Sequence, residues 1–122
     1  ANDHLAYQSL CAVLFEHDLR ERAITTLQED LVAFARKGDL IGMRRIALLY
    51  RDFGCYDFSA RVFTRLLRRI EKSDPRLTSY LGLIAAEEYS IVLWNLGREE
   101  EAAALVERVP ALRHKSTSSD DR

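Results

Sequence analysis

The sequence predicts an all-α fold of antiparallel helical hairpins, and three observations lead there. Apolar residues recur with a period of about 3.6 along almost the whole chain. The period breaks at single glycines and at a Ser-Asp-Pro triplet, so the connections are short and successive helices must lie antiparallel. No window alternates apolar and polar residues, and the β-branched residues are scattered through helical patterns, which leaves no candidate strand.

The first helix is expected from His4 to His17, where Leu5, Ala6, Leu10, Cys11, Val13, Leu14 and Phe15 share helical spacing behind Asp3 as N-cap. After a break at Asp18-Leu19-Arg20, the period resumes through Ile24, Leu27, Leu31, Val32 and Phe34. It ends at Lys37-Gly38-Asp39, a base for the last turn, a glycine to terminate it and a new N-cap. Met43, Ile46, Ala47, Leu49 and Tyr50 mark the next helix, and Gly54 ends it. Phe58, Val62, Phe63, Leu66, Leu67 and Ile70 mark its partner. Asp74 is expected to cap, and Pro75 to enter, a helix running from about Arg76 to Leu96. Gly97 interrupts it, and the last helix runs from Glu99 to Val109, where Pro110 stops or kinks it. Six or seven helices are thus expected, in hairpins at about 4–37, 39–72 and 75–109, within one domain over 1–114. Residues 115–122 contain no apolar side chain and are expected to be a disordered tail.

Composition fits this reading. A chain of 122 residues, 48% apolar, can bury a real core, and five Gly with two Pro exclude collagen-like and Pro-rich classes. There is no run of about eighteen apolar residues and no basic, then apolar, N-terminal leader, so a cytoplasmic protein without membrane partners is expected. Cys11 and Cys55 lack metal-type spacing and are expected as buried, reduced thiols. Charge is uneven: residues 1–35 are net −4, 36–76 net +6 and 77–122 net −3. Intramolecular pairing of the acidic ends with the basic centre is the favoured explanation over a partner-binding patch.

Catalytic constellations are missing from the sequence. His4, His17 and His114 are not at ligand spacing, and the glycines are single rather than clustered in a phosphate loop. Glu87-Glu88 point apart on a helix, while Glu99-Glu100-Glu101 opens one, where the dipole favours acids. No enzymatic activity, metal or cofactor is expected. Arg61, Arg65, Arg68, Arg69 and Lys72 fall on one helix face, the electrostatic footprint of nucleic-acid binders. No free aromatic is interleaved with them, so a solvated face is preferred and nucleic acid is an unlikely partner.

The hairpins also resemble one another. Tyr7, Leu10, Cys11, Leu14, Asp18, Ala23 and Leu27 match Met43, Ile46, Ala47, Tyr50, Gly54, Ser59 and Phe63, and then Ala86, Tyr89, Ser90, Leu93, Gly97, Ala102 and Val106. The order is large, large, small, large, then a turn residue, then small and large. Tyr50-Arg-Asp-Phe-Gly-Cys-Tyr-Asp-Phe-Ser-Ala60 carries it best. This pattern is similar to that of the tetratricopeptide repeat (TPR) family over about residues 4–109, in a divergent form with lengthened helices. The small residues, Ala102 and Ser59 among them, let paired helices approach closely.

The resemblance implies a short right-handed solenoid whose first helices line a concave groove for a partner peptide or helix. Carried over by position, the groove comprises Leu5, Gln8, Ala12 and Phe15; Ile41, Arg44, Arg45, Leu48 and Arg51; and Ile84, Glu87, Glu88, Ile91 and Trp94. Phe15 and Trp94 are its aromatic anchors, and its arginines imply a ligand with an acidic residue beside an apolar one. The basic clamp that some family members use for a C-terminal carboxylate maps onto Gln8, Ala12, Arg45, Ile84 and Glu88, where only Arg45 suits it. The expected function is therefore a non-enzymatic adaptor or scaffold for protein binding. The alternative is an oligomerisation or regulatory segment of a larger protein whose groove is filled in cis or by a second subunit.

Overall fold

The structure, a computed structural model, describes residues 6–11 and 20–112. Those residues are all-helical, without a strand. Residues 6–11 form a helical stretch, followed by α1 (Arg20–Lys37), α2 (Leu40–Asp52), α3 (Tyr56–Glu71), α4 (Tyr80–Asn95) and α5 (Glu99–Arg108). Leu5, Ala12, Phe15, the start of the turn expected at 18–20 and the tail at 115–122 lie outside the described residues.

Most helix ends follow the local chemistry. Gly38, Gly54 and Gly97 take left-handed φ values of 69°, 79° and 75°, a region open to glycine because it has no Cβ. The Asp39 carboxylate accepts a hydrogen bond from Gly42 N at 2.8 Å and starts α2. Val109, held extended by the proline that follows it, closes α5.

The start of α4 differs from expectation. No helix begins at Arg76; the chain runs irregularly from 72 to 79, and Ser79 is the N-cap, accepting from Gly82 N at 3.1 Å. Asp74 turns its carboxylate inward to this loop, taking hydrogen bonds from Thr78 N (2.9 Å), Thr78 Oγ1 (3.0 Å) and Ser79 N (2.9 Å). Those bonds hold its pKa down at about 2. Leu77 pays for the detour with a left-handed φ of 54°, a strained conformation for a leucine, while its side chain is buried in the core.

Consecutive helices pack against one another from α1 to α5, and α2 also touches α4. Leu27, Met43, Ile46, Tyr50, Phe63, Leu66, Val92 and Leu93 are fully buried between them, each contributing about 1.5–3 kcal/mol of apolar burial. Phe63 stacks on Tyr89 of α4, with ring centroids 5.9 Å apart, and Tyr50 stacks on Phe58 at 5.3 Å. Ser59 is completely buried where α3 crosses α2, its hydroxyl donating to the Ala47 carbonyl at 2.8 Å. Only a small side chain permits that approach. Cys11 and Cys55 are buried free thiols. Leu10 departs from its expected packing role, being half exposed with no described element over it.

Candidate functional site

The candidate groove residues divide into two groups. Arg44 on α2 makes a bidentate ion pair with Glu88 on α4, Nε to Oε1 and Nη2 to Oε2, both at 2.7 Å. The hydrogen-bonded carboxylate raises the Arg44 pKa further, so this guanidinium is a strut between helices. Arg51 pairs with Asp52 at 2.8 Å, and Asp52 also accepts from Gln8 Nε2 at 3.4 Å, which ties the 6–11 stretch to α2. Arg45 is half-buried and makes no ion pair among the described residues. Leu48, Ile84 and Glu87 are half-buried, and Ile41 is exposed.

Ile91 and Trp94 belong elsewhere. They line a cavity of about 390 Å³ between α4 and α5, with Ser90, Ala102, Ala103 and Val106 as its other apolar or small walls and Glu107 at its edge. Helix geometry turns Trp94 away from the face of α4 that carries Glu88. Six residues at about 100° each carry Trp94 about 120° round α4 from Glu88. Glu88 therefore faces α2 while Trp94 turns toward α5. Trp94 is 60% exposed and Ile91 51%, although both are large and apolar. The walls contributed by α5 were not among the expected site residues. Their trace in the sequence is the apolar set Ala102, Ala103 and Val106, broader than one buried face of a short helix requires. Ala102, expected at a tight contact, is buried but borders this open space.

A second cavity, of about 320 Å³, lies between α1 and α3. Leu31 and Val32 of α1 face Val62 of α3 across it, the stacked pair Tyr50 and Phe58 lines it, and Arg61 and Arg65 border it. The Arg61 guanidinium sits 5.5 Å from the Phe58 ring centre. Burial pushes the Tyr50 phenol up to about 12, keeping it neutral, and its hydroxyl has no hydrogen-bond partner among the described residues. The expected basic stripe loses one member here. Arg69 is half-buried and donates from Nη1 to the Ala35 carbonyl at 2.6 Å, satisfying the end of α1. Arg61, Arg65, Arg68 and Lys72 stay exposed.

No family model, curated protein or solved structure matches this chain. Its chemistry is therefore read from the side chains. Among the described residues, no group of three His, Cys, Asp or Glu could hold a metal ion, and no helix is long and apolar enough to cross a membrane. The Glu99-Glu100-Glu101 run sits in the first turn of α5, where Glu101 pairs with Arg98 and its carboxyl is drawn below the ordinary range. What the two cavities offer is apolar surface with a charged border.

Proposed function

We propose that the chain is a non-enzymatic protein–protein interaction module of the cytoplasm, built as three TPR-like hairpins in a short right-handed solenoid, that holds a partner peptide or helix. The carrying observation is the exposure of Trp94 and Ile91 at the mouth of the α4–α5 cavity. Covering an aromatic of this size, 60% exposed, offers a partner about 3–4 kcal/mol from Trp94 alone. Two helices supply the walls, so an inserted side chain or helix ridge meets a preformed slot. Support for the stacked arrangement comes from the consecutive packing of α1 to α5 together with the contact of α2 with α4, as expected when alternate helices form one layer. The buried thiols of Cys11 and Cys55 suit a reducing compartment.

The arginine part of the groove changes meaning. Arg44 and Arg51 are engaged by Glu88 and Asp52, so the apolar anchor carries the recognition. One observation favours self-association as the second reading: two large apolar side chains, Trp94 and Ile91, are exposed together on α4.

Trp94 is the only tryptophan, so its emission reports directly on the slot. Peptides selected from a displayed library should quench or blue-shift that emission on binding. They should lose affinity for Ile91→Ala while the melting temperature stays the same. A library that yields no binder, or binders indifferent to Ile91→Ala and Trp94→Ala, would refute the assignment. Light scattering that shows a dimer dissolved by Trp94→Ala would favour self-association.

A further inference from the structure

The cleft between α1 and α3 shares no residue with the slot proposed above, and its chemistry differs. Its walls are apolar, from Leu31, Val32, Val62 and the rings of Tyr50 and Phe58, with Gln28 also lining it, yet two arginines one helical turn apart stand on its edge. Neither Arg61 nor Arg65 has an ion-pair partner among the described residues, and Asp57, one turn before Arg61, does not reach it. The neighbouring Arg68 is likewise exposed and without an ion pair among those residues. Two of the three groove arginines, Arg44 and Arg51, are by contrast neutralised by Glu88 and Asp52. Glu88, from the acidic C-terminal third, thus compensates Arg44 of the basic block, whereas Arg61 and Arg65 beside this cleft keep their charge uncompensated among the described residues.

We propose that the α1–α3 cleft is a second docking site, for an acidic segment of a partner protein that inserts one large apolar side chain between Val32 and Val62 and sets flanking carboxylates on Arg61 and Arg65. The volume, about 320 Å³, is at the small end for ligand pockets and suits a single side chain. Arg61 and Arg65 are about 6 Å apart along the axis of α3, a spacing that carboxylates on either side of the inserted residue can match. Charge complementarity selects an acidic segment, and the lack of an open ring face selects a protein over a nucleic acid. Of the two rings at the cleft, Tyr50 is buried and Phe58 already carries Arg61 against it, so no open ring face is offered to a base.

The test is an amide chemical-shift titration of the full chain with synthetic peptides in which a central leucine lies between pairs of glutamates. Shifts should cluster on α1 and α3 around Val32 and Val62. The variant Arg61→Gln with Arg65→Gln should weaken binding about tenfold, and its Lys counterpart by less, because a lysine keeps the charge but not the bidentate fork. Trp94→Ala should leave the affinity unchanged, which separates this site from the α4–α5 slot. Replacing the central leucine by alanine removes three carbons and should cost about fiftyfold, at about 0.8 kcal/mol for each. Equal binding of the leucine and alanine peptides, shifts centred on Trp94, absence of binding at millimolar peptide, or tighter binding of an oligothymidylate would each overturn the proposal.

Discussion

Ser59 and Ala102 both stand at small positions of the repeat pattern, but the structure separates their tolerance to added volume. Ser59 is 0% exposed, borders neither of the two cavities and donates its hydroxyl to the Ala47 carbonyl at 2.8 Å. Ser59→Leu must push α3 away from α2, at about 1–3 kcal/mol for overpacking. The lost hydrogen bond adds about 0.5–1.5 kcal/mol. The total, about 2–4 kcal/mol, corresponds to a fall in melting temperature of about 8–16 °C at roughly 4 °C per kcal/mol for a domain of this size. Ala102 faces the 390 Å³ cavity, so Ala102→Leu has room to extend and should cost less than about 1 kcal/mol. The expectation of a tight contact at Ala102 is thereby revised. Ala102→Leu should also occupy the slot and abolish peptide-induced changes in Trp94 emission. Thermal and urea unfolding followed by circular dichroism measure both variants. If Ala102→Leu proved as damaging as Ser59→Leu, or Ser59→Leu left the melting temperature alone, the assignment of space around these helices would be wrong.

The Arg44–Glu88 pair should show a coupling of about 1–2 kcal/mol in a double-mutant cycle, since both groups are mostly shielded and the bond is bidentate. The more exposed Arg51–Asp52 pair should give below about 0.5 kcal/mol in the same measurement. Asp74 should titrate with a midpoint near 2 by carboxyl NMR, against an ordinary value of 3.8. Because its folded pKa is depressed, the stabilisation it provides is complete above about pH 4 and is lost as pH falls through 2; Asp74→Asn removes that dependence, and a midpoint of 3.8 would contradict the loop geometry. Gly82→Ala should lower the melting temperature despite the better helix propensity of alanine. Its Cβ would stand 2.9 Å from the Asp74 carboxylate and 3.2 Å from the Leu77 backbone, and a rise in melting temperature would refute this.

The order of helices was legible because it is written in short-range terms. An apolar period of 3.6 needs only a solvent to define a buried face, and glycine at Gly38, Gly54 and Gly97 ends a helix for reasons internal to the backbone. The start of α4 was not legible for the opposite reason. Asp74 and Pro75 form a respectable helix start locally, but the bonds of Asp74 to Thr78 and Ser79 and the burial of Leu77 outweigh it. The bonds are local, but the burial of Leu77 is gained only once the helices around it have packed.

Residue type determined which side chains would be candidates for recognition: the single tryptophan, the arginines of α2 and α3, and the small residues Ser59 and Ala102. Tertiary structure decided what each is free to do. It engaged Arg44 with Glu88 and Arg69 with a carbonyl of α1, and left Arg61 and Arg65 beside an apolar cleft. It turned Trp94 away from the arginines toward α5. The physical reason is range: helix formation is governed by neighbours within a turn or two, whereas the strut between Arg44 and Glu88 joins residues 44 positions apart and the slot at Trp94 needs a second helix laid beside α4.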